Sequence, residues 1–189
     1  MLMHAGTIVL LLAQPFWEIK SPRDWTEDEL ERMFMDSPWT AAAEGRPPVQ
    51  VYLASAAPMR EAESERARRR GMAQATALQE EYATFLSENQ GKVIVLAVRL
   101  LVPSDLADAA ESKRMEEECV LKAGRTKLKL TGHFPPTPSD PWLRLVFPRP
   151  SGALDRSLVF ELYLPGVPHP YRNVELPIRP MMYKGRPEL

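Results

Sequence analysis

Few side chains in this sequence have the type and spacing that chemistry requires. The histidines come first, as the commonest metal ligands and proton shuttles. His4 lies in an apolar N-terminal run, which leaves His133 and His169, each in a proline-rich stretch. A zinc centre draws three or four ligands from short, fixed spacings. Two separated loop histidines do not supply that, and both read as structural or surface residues. Asp105 and Asp108 bracket Leu106-Ala107 and could be weighed as an acid and base pair, but they suit the start of a helix better. The remaining carboxylates are spread through charged segments and single out no pair. Gly-x-Ser-x-Gly, a phosphate-binding glycine loop and His-Glu-x-x-His are all missing from the sequence. Cys119 is the one cysteine. It has no partner for a disulfide within the chain and reads as a small buried hydrophobe rather than a reactive thiol. No cofactor and no metal are expected, and an enzyme here would have to use dispersed residues.

Arg68-Arg69-Arg70 is the most concentrated positive charge, and a run of this kind can contact an anion or nucleic acid. Its surroundings argue otherwise. From Met59 to Gln90 there are five arginines and six glutamates. Pairs such as Glu65 with Arg69 sit four residues apart, where they meet along a solvated helix face. The net charge of the whole chain is -1. No nucleic-acid partner is expected.

Three of the four tryptophans fall between Trp17 and Trp39. Thr26 and Glu29 form a capping box, and Glu27, Asp28 and Glu29 place negative charge at the positive end of the helix dipole. Leu30, Met33 and Phe34 then recur on one face, and Asp36-Ser37-Pro38 ends the helix. The spacing predicts a short amphipathic helix over Thr26–Asp36. Trp25 before it and Trp39 after it are large aromatics with two readings. They either pack into the core as the helix docks on the β half, or form with Phe34 an exposed partner surface at Trp25, Phe34 and Trp39. Docking is the expected outcome, because a helix this short is marginal alone in water.

The pattern Phe16-Trp17-Glu18-x-Lys20, then Trp25-x-Glu27-x-Glu29, then Asp36-Ser37-Pro38-Trp39 resembles a family of uncharacterised secreted bacterial proteins of acidobacterial type. Phe147-Pro148-Arg149 and Met181-Met182-Tyr183-Lys184-Gly185 are similar to that family as well. The resemblance covers nearly the whole chain and implies a hydrophobic leader, a Trp-rich helix, a charged helix and a C-terminal β region. It implies no established activity and no catalytic residue.

These segments belong to a chain of 189 residues with 44% hydrophobic and 26% charged residues, ordinary values for one soluble domain. Its unusual feature is 19 prolines, against an average share of about 5%. Thirteen of them lie from Pro103 onward, so the second half should be short strands and turns. Residues 1–13 are expected to be a signal peptide, with Thr7–Ala13 as its apolar core and cleavage after Ala13; a buried N-terminal strand is the alternative. The apolar run falls short of the about 20 residues that a membrane span needs, so no transmembrane span is expected in the mature chain.

Residues 14–189 then form a single α+β domain, with helices mainly in 26–118 and a β-rich region over 119–189. Ala41–Pro48 reads as a loop and Val49–Leu53 as a strand. A charged helix is expected from Pro58 to about Glu88, bent or split at Gly71. Lys92–Val102 reads as a central strand covered on both faces. A helix capped by Ser104 is expected to run to about Glu117, with a long excursion between two strands as the alternative. Alternating strands follow, notably Trp142–Phe147 and Leu158–Leu164. The fold class expected is α+β, a β-sandwich-like sheet half with N-terminal and inserted helices packed on it. The function expected is an exported, non-catalytic interaction or structural module of the cell envelope, with an unknown protein or envelope partner. The alternatives are an enzyme with dispersed site residues and a small-ligand or lipid carrier.

Overall fold

The computed structural model describes residues 14–71, 76–100, 108–152 and 156–189. Within it the capping box forms: the Glu29 amide donates to Thr26 Oγ1 at 3.1 Å, and the Thr26 amide donates to Glu29 Oε2 at 2.9 Å. In chain order the helices are α1 (Phe16–Ile19), α2 (Glu27–Met35), α3 (Ala57–Arg69), α4 (Ala77–Glu88) and α5 (Ala109–Glu118), with a 3-10 turn over Pro22–Asp24. The strands are β1 (Thr40–Ala43), β2 (Val49–Leu53), β3 (Val93–Arg99), β4 (Val120–Ala123), β5 (Thr126–Lys129), β6 (Gly132–Phe134), β7 (Trp142–Pro148), β8 (Ser157–Tyr163), β9 (Tyr171–Pro177), β10 (Met182–Tyr183) and β11 (Arg186–Pro187). No described helix is long and apolar enough to cross a membrane.

Two antiparallel sheets carry the fold. One has the order β1-β2-β3-β7-β6 and the other β5-β4-β8-β9. Directly opposed residues of an antiparallel pair share a face, so the register assigns each side chain to a layer. In the first sheet Leu53, Leu96, Leu145 and His133 form one row, and Tyr52, Ala97, Arg144 and Phe134 form a row on the other face. In the second, Leu128, Leu121, Phe160 and Val174 are opposed. Phe147 and Phe160 meet edge to face across the two sheets, with ring centres 5.5 Å apart. The leucine row of the first sheet and the Phe160 row of the second are therefore the two halves of one core. The Tyr52–Arg144 face is left for helices: Phe34 of α2 lies 5.4 Å from the Tyr52 ring, and Tyr82 and Phe85 of α4 lie 5.1 and 5.3 Å from Phe134. β3, with Val95 and Leu96 both buried, is covered on each side, as a central apolar strand requires. The architecture is α+β, with a sandwich-like pair of sheets, α2 and α4 packed on the first and α5 on the second.

Two local features depart from the sequence reading, at residues 40–43 and at His133. Residues 40–43 are strand rather than loop. Alanine has little strand preference of its own, and it is the pairing of Thr40 with Tyr52 through Ala43 with Val49 that extends them. The charged helix is split at Gly71, one of the two forms expected, into α3 and α4. Gly71 takes a φ of +61, which favours glycine, and Thr76 with Gln79 builds a second capping box that starts α4. His133 sits on β6, paired with Leu145, not in a loop. The helix expected from Ser104 is described from Ala109, where Asp108 caps the Ala110 amide at 2.8 Å; Ser104–Ala107 and the signal peptide expected over 1–13 lie outside the described residues.

The docking of α2 also differs in its partner. It packs against α3 and β1, and Phe34 meets Tyr52 of β2, so its surface comes from the N-terminal strands rather than from those after residue 119. The cause is topological: β1 and β2 join the sheet whose centre is β3, and the hairpin carries its own share of sheet to the helix. The C-terminal segment still contributes, since Trp39 Nε1 donates to the Glu188 carbonyl at 2.9 Å.

Candidate functional site

The aromatic surface considered at Trp25, Phe34 and Trp39 does not form. The three side chains are 3%, 1% and 0% exposed. Phe16 stands edge to face against both Trp17 and Trp25, and Trp17 against Trp39. The short α1 thereby caps the end of α2 and closes off the tryptophans. Burial of rings this large is worth more than any exposed display of them, and the helix is docked.

The other candidates from sequence also find structural places. His133 Nδ1 is 3.6 Å from Glu116 Oε1, and His169 is exposed in a turn with φ +53. Among the described residues no group of three or more His, Cys, Asp or Glu could hold a metal ion. Asp108 is a helix cap, and Asp105 lies outside the described residues. Cys119 is fully buried, with its sulfur between the Tyr163 amide at 3.3 Å and the Tyr163 carbonyl at 3.5 Å; burial pushes its thiol up to about 11. Arg68 and Arg69 both hold Glu65, at 2.6 Å each. Arg69 also reaches Glu27 at 2.7 Å and the Trp25 carbonyl at 2.5 Å, tying α3 to α2. Arg70, the third of that run, points elsewhere.

Arg70 lines a cleft between α3 and α4, floored by the helix-facing side of the first sheet. Its volume is about 410 Å³, within the range of about 300–1,000 Å³ typical of small-ligand sites. Along α3 the side chains at Arg60, Glu63, Arg66 and Arg70 face it, at the three- and four-residue steps that keep one helix face together. From α4 come Gln79, Tyr82, Ala83 and Leu86, and from the sheet side Asp140 and Arg144.

Arg144 is the centre of this cleft. It is a charged residue in an otherwise apolar strand, and 8% exposed. Its Nη1 donates to Asp140 Oδ2 at 2.8 Å and its Nη2 to Glu63 Oε1 at 3.0 Å. The guanidinium lies 4.4 Å from the centre of the Tyr82 ring. Glu63 Oε1 also accepts a short hydrogen bond from the Tyr52 hydroxyl. Burial works against the charge of Arg144, but Glu63, Tyr52, Tyr82 and Asp140 together hold its pKa above the usual arginine value. Burial raises the hydroxyls of Tyr52 and Tyr82 well above the ordinary tyrosine value, Glu63 adds to both, and Arg144 opposes.

Both carboxylates of the cleft are therefore committed to Arg144. Arg60, Arg66 and Arg70 have no carboxylate partner among the described residues. Arg66 is held flat, 3.6 Å over the Phe34 ring. Three buried donors on the lining, Arg60 Nε, Tyr82 Oη and Arg144 Nε, make no hydrogen bond of normal geometry among the described residues. Buried polar groups are rarely left so. A second depression on the other side of α3, about 510 Å³, shares Arg60 and Ser64. Its carboxylates are engaged within the fold: Glu61 accepts from the Tyr183 hydroxyl at 2.7 Å and Glu65 from Arg68. The first cleft brings all three of these donors together and shares only Arg60 of them with the second.

Sequence reasoning passed over Arg144, Glu63, Tyr52 and Tyr82. A signal for the first was present, since an arginine inside Trp142-Leu143-Arg144-Leu145-Val146-Phe147 must find a buried carboxylate or break the strand. Nothing in the spacing named Glu63, far away on a helix with other glutamates, as that partner. No protein-family model matches the chain, and comparison with curated proteins and with solved structures likewise finds no match.

Proposed function

We propose that this protein is a non-catalytic binding module of the cell envelope, and that it takes an anionic group in the cleft between α3 and α4. The observation that carries the reading is the set of three arginines, Arg60, Arg66 and Arg70, which face the cleft without carboxylate partners among the described residues. Binding rather than catalysis is favoured because Glu63 and Asp140 are both engaged by Arg144. A general base needs a carboxylate that can reach a substrate proton, and these two are already spoken for. The buried tryptophans remove the flat aromatic patch as a competing contact site.

The envelope location rests on the Thr7–Ala13 apolar run and on the resemblance to secreted proteins. N-terminal sequencing of the native protein, with fractionation, tests it: a mature chain lacking the leader is expected, and an intact Met1 on a cytoplasmic protein refutes it. Native mass spectrometry of protein recovered from its host tests the site. Wild type should carry a bound anionic mass that the Arg60→Glu, Arg70→Glu double variant loses. An identical mass on both proteins would move the contact away from this cleft.

A further inference from the structure

We propose that the ligand is an organic dianion with an apolar body of about one ring, its charged head on the α3 wall and its body on α4. This rests on the reading of the cleft as a binding site and adds the chemical class of what fills it. The charge follows from the lining. Four arginines stand against two carboxylates, Glu63 and Asp140, leaving the cleft two charges positive. A partner with two negative charges neutralises it, while a single carboxylate leaves an unbalanced cation. The head must be a multidentate acceptor. Guanidinium groups donate in a planar fork that fits phosphate or carboxylate oxygens, and Arg60 Nε and Arg144 Nε are buried donors with no acceptor among the described residues. Arg66 needs no reordering, since the Phe34 ring already holds it. Arg144 is fixed by Glu63 and Asp140.

The body follows from the opposite wall. Tyr82, Ala83 and Leu86 share a face of α4 at helical spacing and give that side of the cleft an apolar surface. A hydrated inorganic anion would leave this wall uncovered. The volume limits the body: about 410 Å³ is roughly a dozen water volumes at about 30 Å³ each, enough for one ring and its head group. A phosphomonoester and a dicarboxylate share this chemistry, and the probes below separate them.

Isothermal titration of the full chain at low salt supplies the test, with phenyl phosphate, phthalate, inorganic phosphate, benzoate and benzyl alcohol as ligands. Phenyl phosphate or phthalate should bind at least about tenfold tighter than both inorganic phosphate and benzoate, a step that one good charge-assisted contact or one apolar wall supplies. Which of the two binds tighter identifies the head group. Benzyl alcohol should give no heat of binding. Arg60→Gln and Arg70→Gln should each weaken the preferred dianion by about fivefold or more. Ala83→Glu, at an exposed position of α4, should do the same by repulsion, with the thermal midpoint of each variant showing that the fold is intact. If inorganic phosphate binds as tightly as phenyl phosphate, and still depends on Arg60 and Arg70, the apolar body is refuted while the anion site stands. If benzoate equals phthalate, the second charge is refuted. If no probe binds, or binding ignores both arginines, the site and its ligand class fall together.

Discussion

Replacing Arg144 by Met is the most direct test of how the cleft is built. The substitution keeps an unbranched, flexible stem but removes the cation that holds Glu63 and Asp140. Breaking a buried ion pair by deleting one partner costs about 3–5 kcal/mol, because the other charge is left uncompensated. Two features place this case at the lower end. The side chains of Glu63 and Asp140 are each 16% exposed, so water reaches them in part, and Glu63 keeps its hydrogen bond from Tyr52. The lost stacking on Tyr82, worth about 0.5–2 kcal/mol, is partly replaced by a sulfur–ring contact of about 0.3–1.5 kcal/mol. The expected loss is about 3 kcal/mol. With a urea slope of about 2 kcal/mol per molar, the midpoint should fall by about 1.5 M. Adding Glu63→Gln and Asp140→Asn to Arg144→Met should recover part of the loss, because the orphaned charges are then gone. A loss below about 1 kcal/mol, the range of surface changes, or a triple variant no better than the single one, would refute the buried network as the organiser of the cleft.

Phe160 is fully buried against Phe147 between the sheets, and Phe160→Ala should cost about 3–5 kcal/mol by urea unfolding; a loss under about 1 kcal/mol would mean the two sheets do not share that core. Cys119, buried and raised to about 11, should label with a thiol reagent at neutral pH only as fast as the chain opens, so native and urea-unfolded rates should differ widely; equal rates would refute its burial. Glu65 is held at about 2, below the ordinary 4.5, by hydrogen bonds from Arg68 and then Arg69. A carboxyl with a lowered folded pKa stabilises fully above its unfolded value, and that contribution fades as pH falls from 4.5 toward about 2. Glu65→Gln should therefore flatten the stability curve in that window, and an unchanged slope would count against the ion pairs.

Local chemistry in this chain was legible wherever one segment alone decided it. Thr26 with Glu29 satisfies its own helix start, and Val93–Arg99 is apolar enough to be central in any sheet. Leu158, Phe160 and Leu162 alternate because one face of β8 must be buried. What the sequence concealed was pairing at a distance. Thr40–Ala43 is extended only because β2 lies beside it, and the four-residue α1 exists through its ring contacts with Trp25 and Trp39. Neither segment has a preference strong enough to be read without its partner. Gly71 showed the opposite case, where a single residue foretold the break between α3 and α4 that opens the cleft.

The site was hidden for a related reason. Five arginines and six glutamates between Met59 and Gln90 look self-neutralising when counted along the helix. In three dimensions the charges sort by face. Glu65 draws Arg68 and Arg69 to one side of α3, and Arg69 spends its remaining donors on α2. Glu63 turns to the sheet and is taken by Arg144 of β7, a residue distant in sequence. Arg60, Arg66 and Arg70 are what remains on the cleft side, so the excess positive charge there is created by the fold and not by composition. The sheet register produces it: Arg144 shares its row with Tyr52, Ala97 and Phe134 on the helix-facing side. A one-residue slip of β7 would turn Arg144 into the apolar core between the sheets. It would also release Glu63 to neutralise its own helix, so the same register that places Phe147 against Phe160 sets the charge of the cleft.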